Sequence, residues 1–220
     1  MPEPQKRLVP ALSAPNPQQR LQAGLDIGIR ADRRDLDALV RRCAVEPDFF
    51  VRDMLTWALT RLPADETVPR LVAALDSSVP QELAQALHTL SKIGDRRGWQ
   101  AQDPSRIGDR LIAHPDTEVA RSAWRCAVAL VPADDRDDLA DVLVTQLGRG
   151  DVETQKSLSR AIVALGEDLV SVLDEKLLSD DTVRAHAMAT REMFADPDAG
   201  FAHALDAAKR VVALGSGTRA

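Results

Sequence analysis

Asp48-Phe49-Phe50-Val51-Arg52 is the stretch on which the reading of this chain turns, because it comes back. Asp76-Ser77-Ser78-Val79, Asp116-Thr117-Glu118-Val119 and Asp180-Asp181-Thr182-Val183 repeat the aspartate and the valine. Arginine follows the valine directly at Arg52 and Arg184, and one place later at Arg121. A degenerate copy stands at Asp151-Val152-Glu153-Thr154, and successive starts are separated by 28, 40, 35 and 29 residues. Aspartate is a side chain that caps a helix start. A phrase that opens a helix at such a period is the mark of stacked helical hairpins, each hiding its apolar face against its neighbours.

Working outward from each valine, the fourth, seventh, eighth and eleventh positions are mostly apolar. They read Leu55, Ala58, Leu59 and Leu62, then Leu83, Ala86, Leu87 and Leu90, then Ala123, Cys126, Ala127 and Leu130. The fourth unit supplies Leu158, Ala161, Ile162 and Leu165, and the fifth Ala187, Thr190 and Phe194. This is the stripe of an amphipathic helix. A shorter stripe precedes each turn: Leu36, Leu39, Val40 and Cys43; Val68, Leu71, Val72 and Leu75; Ile107, Leu111 and Ile112; Leu139, Val142, Leu143 and Leu147; Leu169, Val172, Leu173 and Leu177. The fold class is therefore all-α: an α–α superhelix of about five hairpins, with a capping helix at Pro17 to Ile29 and another from Asp196-Pro197-Asp198 to about Leu214. Residues 16–214 form one repeat domain. Residues 1–15, with prolines at 2, 4, 10 and 15, read as a loose leader, and 215–220 as a flexible tail. The longer gap around Gly94-Asp95-Arg96-Arg97-Gly98-Trp99-Gln100 is a surface insertion, with Trp99 expected to fold back over the second repeat.

Composition narrows the chemistry. Aromatic residues are 3%, with no tyrosine, so a wide aromatic pocket is hard to build. The net charge of -6 counts against a chain devoted to gripping phosphate backbones. Cys43 and Cys126 give neither a disulfide framework nor a zinc spacing, and are expected to be buried. His88, His114, His186 and His203 are scattered, and no phosphate loop or nucleophile elbow appears. No catalytic residue, metal or cofactor is expected. Neither a membrane-length apolar run nor a secretory signal is visible, which reads as a cytoplasmic protein.

The Asp-x-x-Val-Arg turn and the Leu/Ala stripe behind it resemble HEAT repeats, of the HEAT-like type found in many bacterial proteins, over roughly residues 34 to 194. The resemblance implies a solenoid with a concave inner wall, in which the turn aspartate caps and the following arginine ties adjacent repeats. Pro80 and Gln155 stand where that arginine is expected, so those two seams should be looser. The resemblance is specific for fold and weak for function.

Inner-wall positions fall two, five, six and nine places after each valine. They make a candidate partner-binding groove of Trp57, Gln85, His88, Arg121, Trp124, Arg125, Lys156 and Arg160. Arg121, Arg125, Lys156 and Arg160 would cluster on neighbouring helices, either as an acidic-partner site or as solvated charges paired with Glu118, Asp151 and Glu153. Trp57 and Trp124 are either interface anchors or filler between helices. The expected activity is non-catalytic: a scaffold or regulatory adaptor, a monomer, holding an acidic or helical segment of a partner protein. The alternative is a nucleic-acid-binding protein related to the alkylpurine DNA glycosylases, which are also built from HEAT-like repeats. Size and the inner-face residues Asp53, Trp57, Trp124 and Arg125 favour it. The acidic net charge and the lack of a matching tryptophan–aspartate pair count against it.

Overall fold

The computed structural model describes residues 5–100, 110–166, 171, 173, 174, 180–196 and 200–216. Every regular element among the described residues is helical. The chain divides into two compact units, Met1–Arg106 and Ile107–Ala220.

The first unit contains α1 (Gln5–Ala11), α2 (Pro17–Arg30), α3 (Leu36–Cys43), α4 (Phe49–Thr60), α5 (Ala64–Ala74), α6 (Pro80–Ile93) and the short α7 (Arg97–Gln100). Helices α2, α4 and α6 pack side by side in series, and α3 and α5 form a second row against α4 and α6. The second unit contains a helical turn at 110–112, then α8 (Thr117–Leu130), α9 (Arg136–Val144), α10 (Val152–Leu165), α11 (Asp181–Ala195) and α12 (Phe201–Ser216). Here α8, α10 and α11 follow in series, α9 packs on α8 and α10, and α12 covers α11. Each unit is thus packed by sequential neighbours, as a helical-repeat arrangement requires.

The apolar stripe lies where its period puts it. Leu55, Leu83 and Leu158 are all buried, as are Leu59, Leu87, Ile162 and the free thiols Cys43 and Cys126. Burial pushes both thiols up to about 12, so neither is a thiolate at neutral pH. Four of the aspartates cap as their sequence suggests. Asp48 accepts from the Val51 amide at 3.1 Å, and Asp116 from Glu118 and Val119 at 3.0 and 3.1 Å. Asp151 accepts from Thr154 at 2.9 Å, and Asp180 from Thr182 and Val183. Asp76 does not. Proline at position 80 takes the first helical place, and Ser77 substitutes, accepting from the Val79 amide and donating to Glu82.

The two seams expected to be loose are hydrogen-bonded. Arg52 donates to the turn carbonyls of Glu46 and Pro47, both at 2.9 Å. Gln155, at the corresponding place, donates to the carbonyls of Gly148 and Gly150 at 3.4 and 3.2 Å. Gln81, beside Pro80, reaches back across the seam to Cys43 O and Glu46 O, both at 2.9 Å. A primary amide has donors enough to bridge two carbonyls, so arginine is dispensable there.

Two boundaries differ from expectation, at the leader and at the end of the last helix. Residues 5–11 form a helix that packs on α2, and Leu12 is buried, so the leader is ordered from there. Trp99 is buried beside α5, as a lid should be. The last helix runs on to Ser216, two residues beyond its expected end. The core positions Ile107, Leu169, Val172 and Leu177, and the tail from 217, lie outside the described residues.

Candidate functional site

Arg121 and Arg125 stand four residues apart on α8, and Lys156 and Arg160 four apart on α10. That spacing puts each pair on one face of its helix. Because α8 and α10 are adjacent, the two pairs meet around one pocket of about 280 Å³. Val128, Ala129, Ala161 and Ala164 give it apolar walls, and Ser157 and Glu153 complete the lining. The small alanines are what leave the space open between the two helices.

The electrostatics of the pocket are unbalanced. Arg121 donates from Nη1 to Glu118 Oε1 at 3.0 Å, while its Nε is shut off from solvent without an acceptor. Among the described residues, Arg125 donates to the Ser122 hydroxyl, at 3.1 Å. Among the described residues no carboxylate forms an ion pair with Arg125, Lys156 or Arg160. Arg125 remains solvent-exposed as a residue, yet its pKa is pulled down. Desolvation of its crowded head group is the main cause; repulsion from Arg121 adds to it and Glu118 offsets part. The positive charge of Arg121 also helps to hold the Asp151 carboxyl below its ordinary range, behind the hydrogen bonds from Thr154.

Of the eight residues read from the sequence, the structure brings these four cations together. The other four fall elsewhere. Trp124 is wholly buried, its indole N–H donating to the Ile112 carbonyl at 3.1 Å, so it is filler between helices and offers a ligand nothing. Trp57, 38% exposed, belongs to the first unit and lies across Gly28, where an added Cβ would come within 2.3 Å of the indole. Gln85 spends its amide on Thr56 Oγ1, 2.5 Å away across the α4–α6 seam. His88 is half-buried on α6, in the first unit with Gln85.

Trp124 was misplaced for a geometrical reason. It stands five places after its valine, the place also held by Thr56 and Ser159, and all three are buried. At roughly 100° per residue that place lies on the flank of the helix, not its far side. A helix packed in series has both flanks covered, whereas Trp57, Arg125 and Arg160 at the sixth place and Asp53 at the second are exposed.

Sequence reasoning missed two polar clusters. In the first unit Glu46, fully buried, accepts from Arg20 at 2.8 Å twice, from Arg42 at 2.8 and 2.7 Å, and from the Asp48 amide at 2.9 Å. In the second, His186 is buried in the seam between α10 and α11. Gly148 donates its amide to His186 Nδ1 at 2.9 Å; Nε2 lies 3.0 Å from both Gln155 O and Ser159 Oγ. Ser159 is in turn 2.7 Å from Thr190 Oγ1. The only sequence signal for either was a polar residue interrupting an apolar register. Among the described residues there is no group of three or more side chains able to hold a metal, and no helix long and apolar enough to cross a membrane.

The chain is thus an all-helical protein whose two units are each packed by sequential neighbours, the second carrying a cationic pocket. It is similar to the crystal structure of an engineered protein from the Northeast Structural Genomics Consortium. The TM-score is 0.51 at 17% identity, over 90% of this chain and 100% of that one. At that identity the likeness speaks for the fold alone. No family model and no curated protein matches the chain.

Proposed function

We propose that this is a non-catalytic recognition module of the HEAT-like solenoid type, which binds an acidic segment of a partner protein at the pocket between α8 and α10. One observation carries the reading: Arg125, Lys156 and Arg160 converge on a pocket with small apolar walls, and among the described residues no carboxylate forms an ion pair with them. Such an arrangement leaves electrostatic free energy unused in the free protein and available to a ligand. The apolar floor suits a side chain of a helical or extended peptide, and the guanidinium forks suit its carboxylates. Nucleic acid fits less well. None of the pocket-lining residues is aromatic, so a base has nothing to stack on, and the Trp124 that favoured a glycosylase-like reading is buried.

The test is a fluorescence-anisotropy titration with a labelled Glu-rich amphipathic peptide and, in parallel, a single-stranded DNA 20-mer. The peptide should bind, and Arg125→Glu should weaken it at least about tenfold, as reversal at a close charge pair does. Equal binding by the variant would refute the site. Tighter binding of the DNA, with a steep salt slope, would refute the partner class.

A further inference from the structure

We infer that the acidic group this pocket selects is a phosphate monoester, carried on a serine or threonine of the partner. The inference rests on the reading of the pocket as an acidic-segment site and sharpens it. The argument is one of charge and acceptor number. Four cations line the space, and the opposing carboxylates are Glu118, taken up by Arg121, and Glu153 in the wall. A carboxylate ligand brings one negative charge and two oxygens, which leaves half of that net excess of two positive charges unmatched. A phosphoserine or phosphothreonine brings a charge of about -1.5 to -2 and three strong acceptor oxygens, so one group can engage several heads at once.

The state of Arg125 points the same way. Repulsion from the neighbouring cation Arg121 acts on it in the free protein, and Glu118 offsets only part of that repulsion. A dianion placed between α8 and α10 would relieve it and accept from both guanidinium forks. About 280 Å³ is several times the roughly 30 Å³ that a water molecule occupies in the liquid, so a phosphoryl group enters together with the side chain that bears it. The apolar walls of Val128, Ala129 and Ala161 would face that side chain's carbon atoms.

The deciding experiment compares three labelled peptides that differ at one central residue of an otherwise identical acidic sequence: phosphoserine, glutamate or serine. Anisotropy is read at pH 7.5 and pH 5.0 with the full chain. The phosphopeptide should bind at least about tenfold more tightly than the glutamate peptide at pH 7.5, as one to three further charge-assisted hydrogen bonds imply. That preference should shrink at pH 5.0, because the second phosphate proton binds near pH 6. The glutamate peptide is the control for titration of the protein. The buried His186 behind α10 is held down at about 4, below both pH values. Lys156→Ala and Arg160→Ala, both on the helix exterior, should each weaken the phosphopeptide more than the glutamate peptide, with helical circular dichroism unchanged.

If phosphoserine and glutamate peptides bind alike, the phosphate inference is overturned and the acidic-segment reading stands. Binding of neither overturns both. If inorganic phosphate competes as well, mole for mole, as the unlabelled phosphopeptide, the partner-borne source is overturned in favour of a free anion. Preferential binding of DNA would show that the phosphate is a diester and overturn the inference in that direction.

Discussion

Acidification should weaken the second unit through a single side chain, His186. Its ring is buried, and the Gly148 amide donates to Nδ1, so the proton of the neutral ring sits on Nε2, facing Gln155 O and Ser159 Oγ. A second proton would have to be placed on Nδ1, against a donor, in a fully buried site. Burial is the largest cause of the depression of its pKa from 6.5 to about 4, and the Gln155 carbonyl opposes it only in part. A base whose folded pKa lies below its unfolded one takes up its proton more readily in the unfolded chain. Stability from this residue is therefore complete above pH 6.5 and is lost between 6.5 and 4. With those two values, linkage gives a loss of about 2 kcal/mol between pH 7 and pH 5, and roughly 3 kcal/mol by pH 4. The comparison is His186→Gln, which can still accept from Gly148 and donate to Gln155 but cannot titrate. It should be less stable than wild type at pH 7 by about 1 kcal/mol, for want of the ring edge against Phe201. Urea unfolding followed by circular dichroism should show that gap closing or reversing at pH 5, since carboxylates common to both chains cancel. Equal losses in the two proteins would refute the reasoning, as would a His186 ring resonance that titrates near 6.5.

Three further outcomes follow from the packing. Glu46→Gln leaves Arg20 and Arg42 without their shared carboxylate, and should lower the stability of the first unit by about 3 kcal/mol, read by chemical unfolding. With the wild type, the contribution of Glu46 is present above its unfolded value near 4.5 and is lost as pH falls toward about 2. Its hydrogen bonds from Arg20, the Asp48 amide and Arg42 there outweigh the upward push of burial. Trp124→Phe keeps most of the apolar contact but strands the Ile112 carbonyl, costing about 1–3 kcal/mol, and Trp124→Ala should cost about 3–5 kcal/mol. Either result near zero in a thermal melt would place Trp124 outside the core. Gly28→Ala forces a methyl to within 2.3 Å of the Trp57 ring and 3.0 Å of the Ala58 backbone. Its melting temperature should fall, with about 1–3 kcal/mol lost, and Trp57 emission should move as the indole is displaced.

What the sequence could show was whatever depends on one helix at a time. The apolar register of Leu55, Leu83 and Leu158 and the caps at Asp48, Asp116, Asp151 and Asp180 are local, and each was readable from spacing alone. The pairs Arg121/Arg125 and Lys156/Arg160 were readable for the same reason, since four-residue spacing fixes a face and the order of the repeats makes the two helices neighbours. What it could not show depends on the flanks, where one helix meets the next. The fifth place after the valine holds threonine, tryptophan and serine in three repeats, residues that suit solvent as well as a seam. Their burial follows only once neighbours cover both sides. The same blindness hid Glu46, since its partner Arg20 is 26 residues away on a helix that carried no repeat phrase. It also turned Gln155 into an apparent weakness, because a substitution is judged against the residue expected and not against the carbonyls within reach. Seam residues in such a chain are therefore better predicted by asking which side chains can satisfy a neighbour's turn than by hydropathy, and the second and sixth places, where Arg121, Lys156, Arg125 and Arg160 stand, are where ligand contacts should be sought.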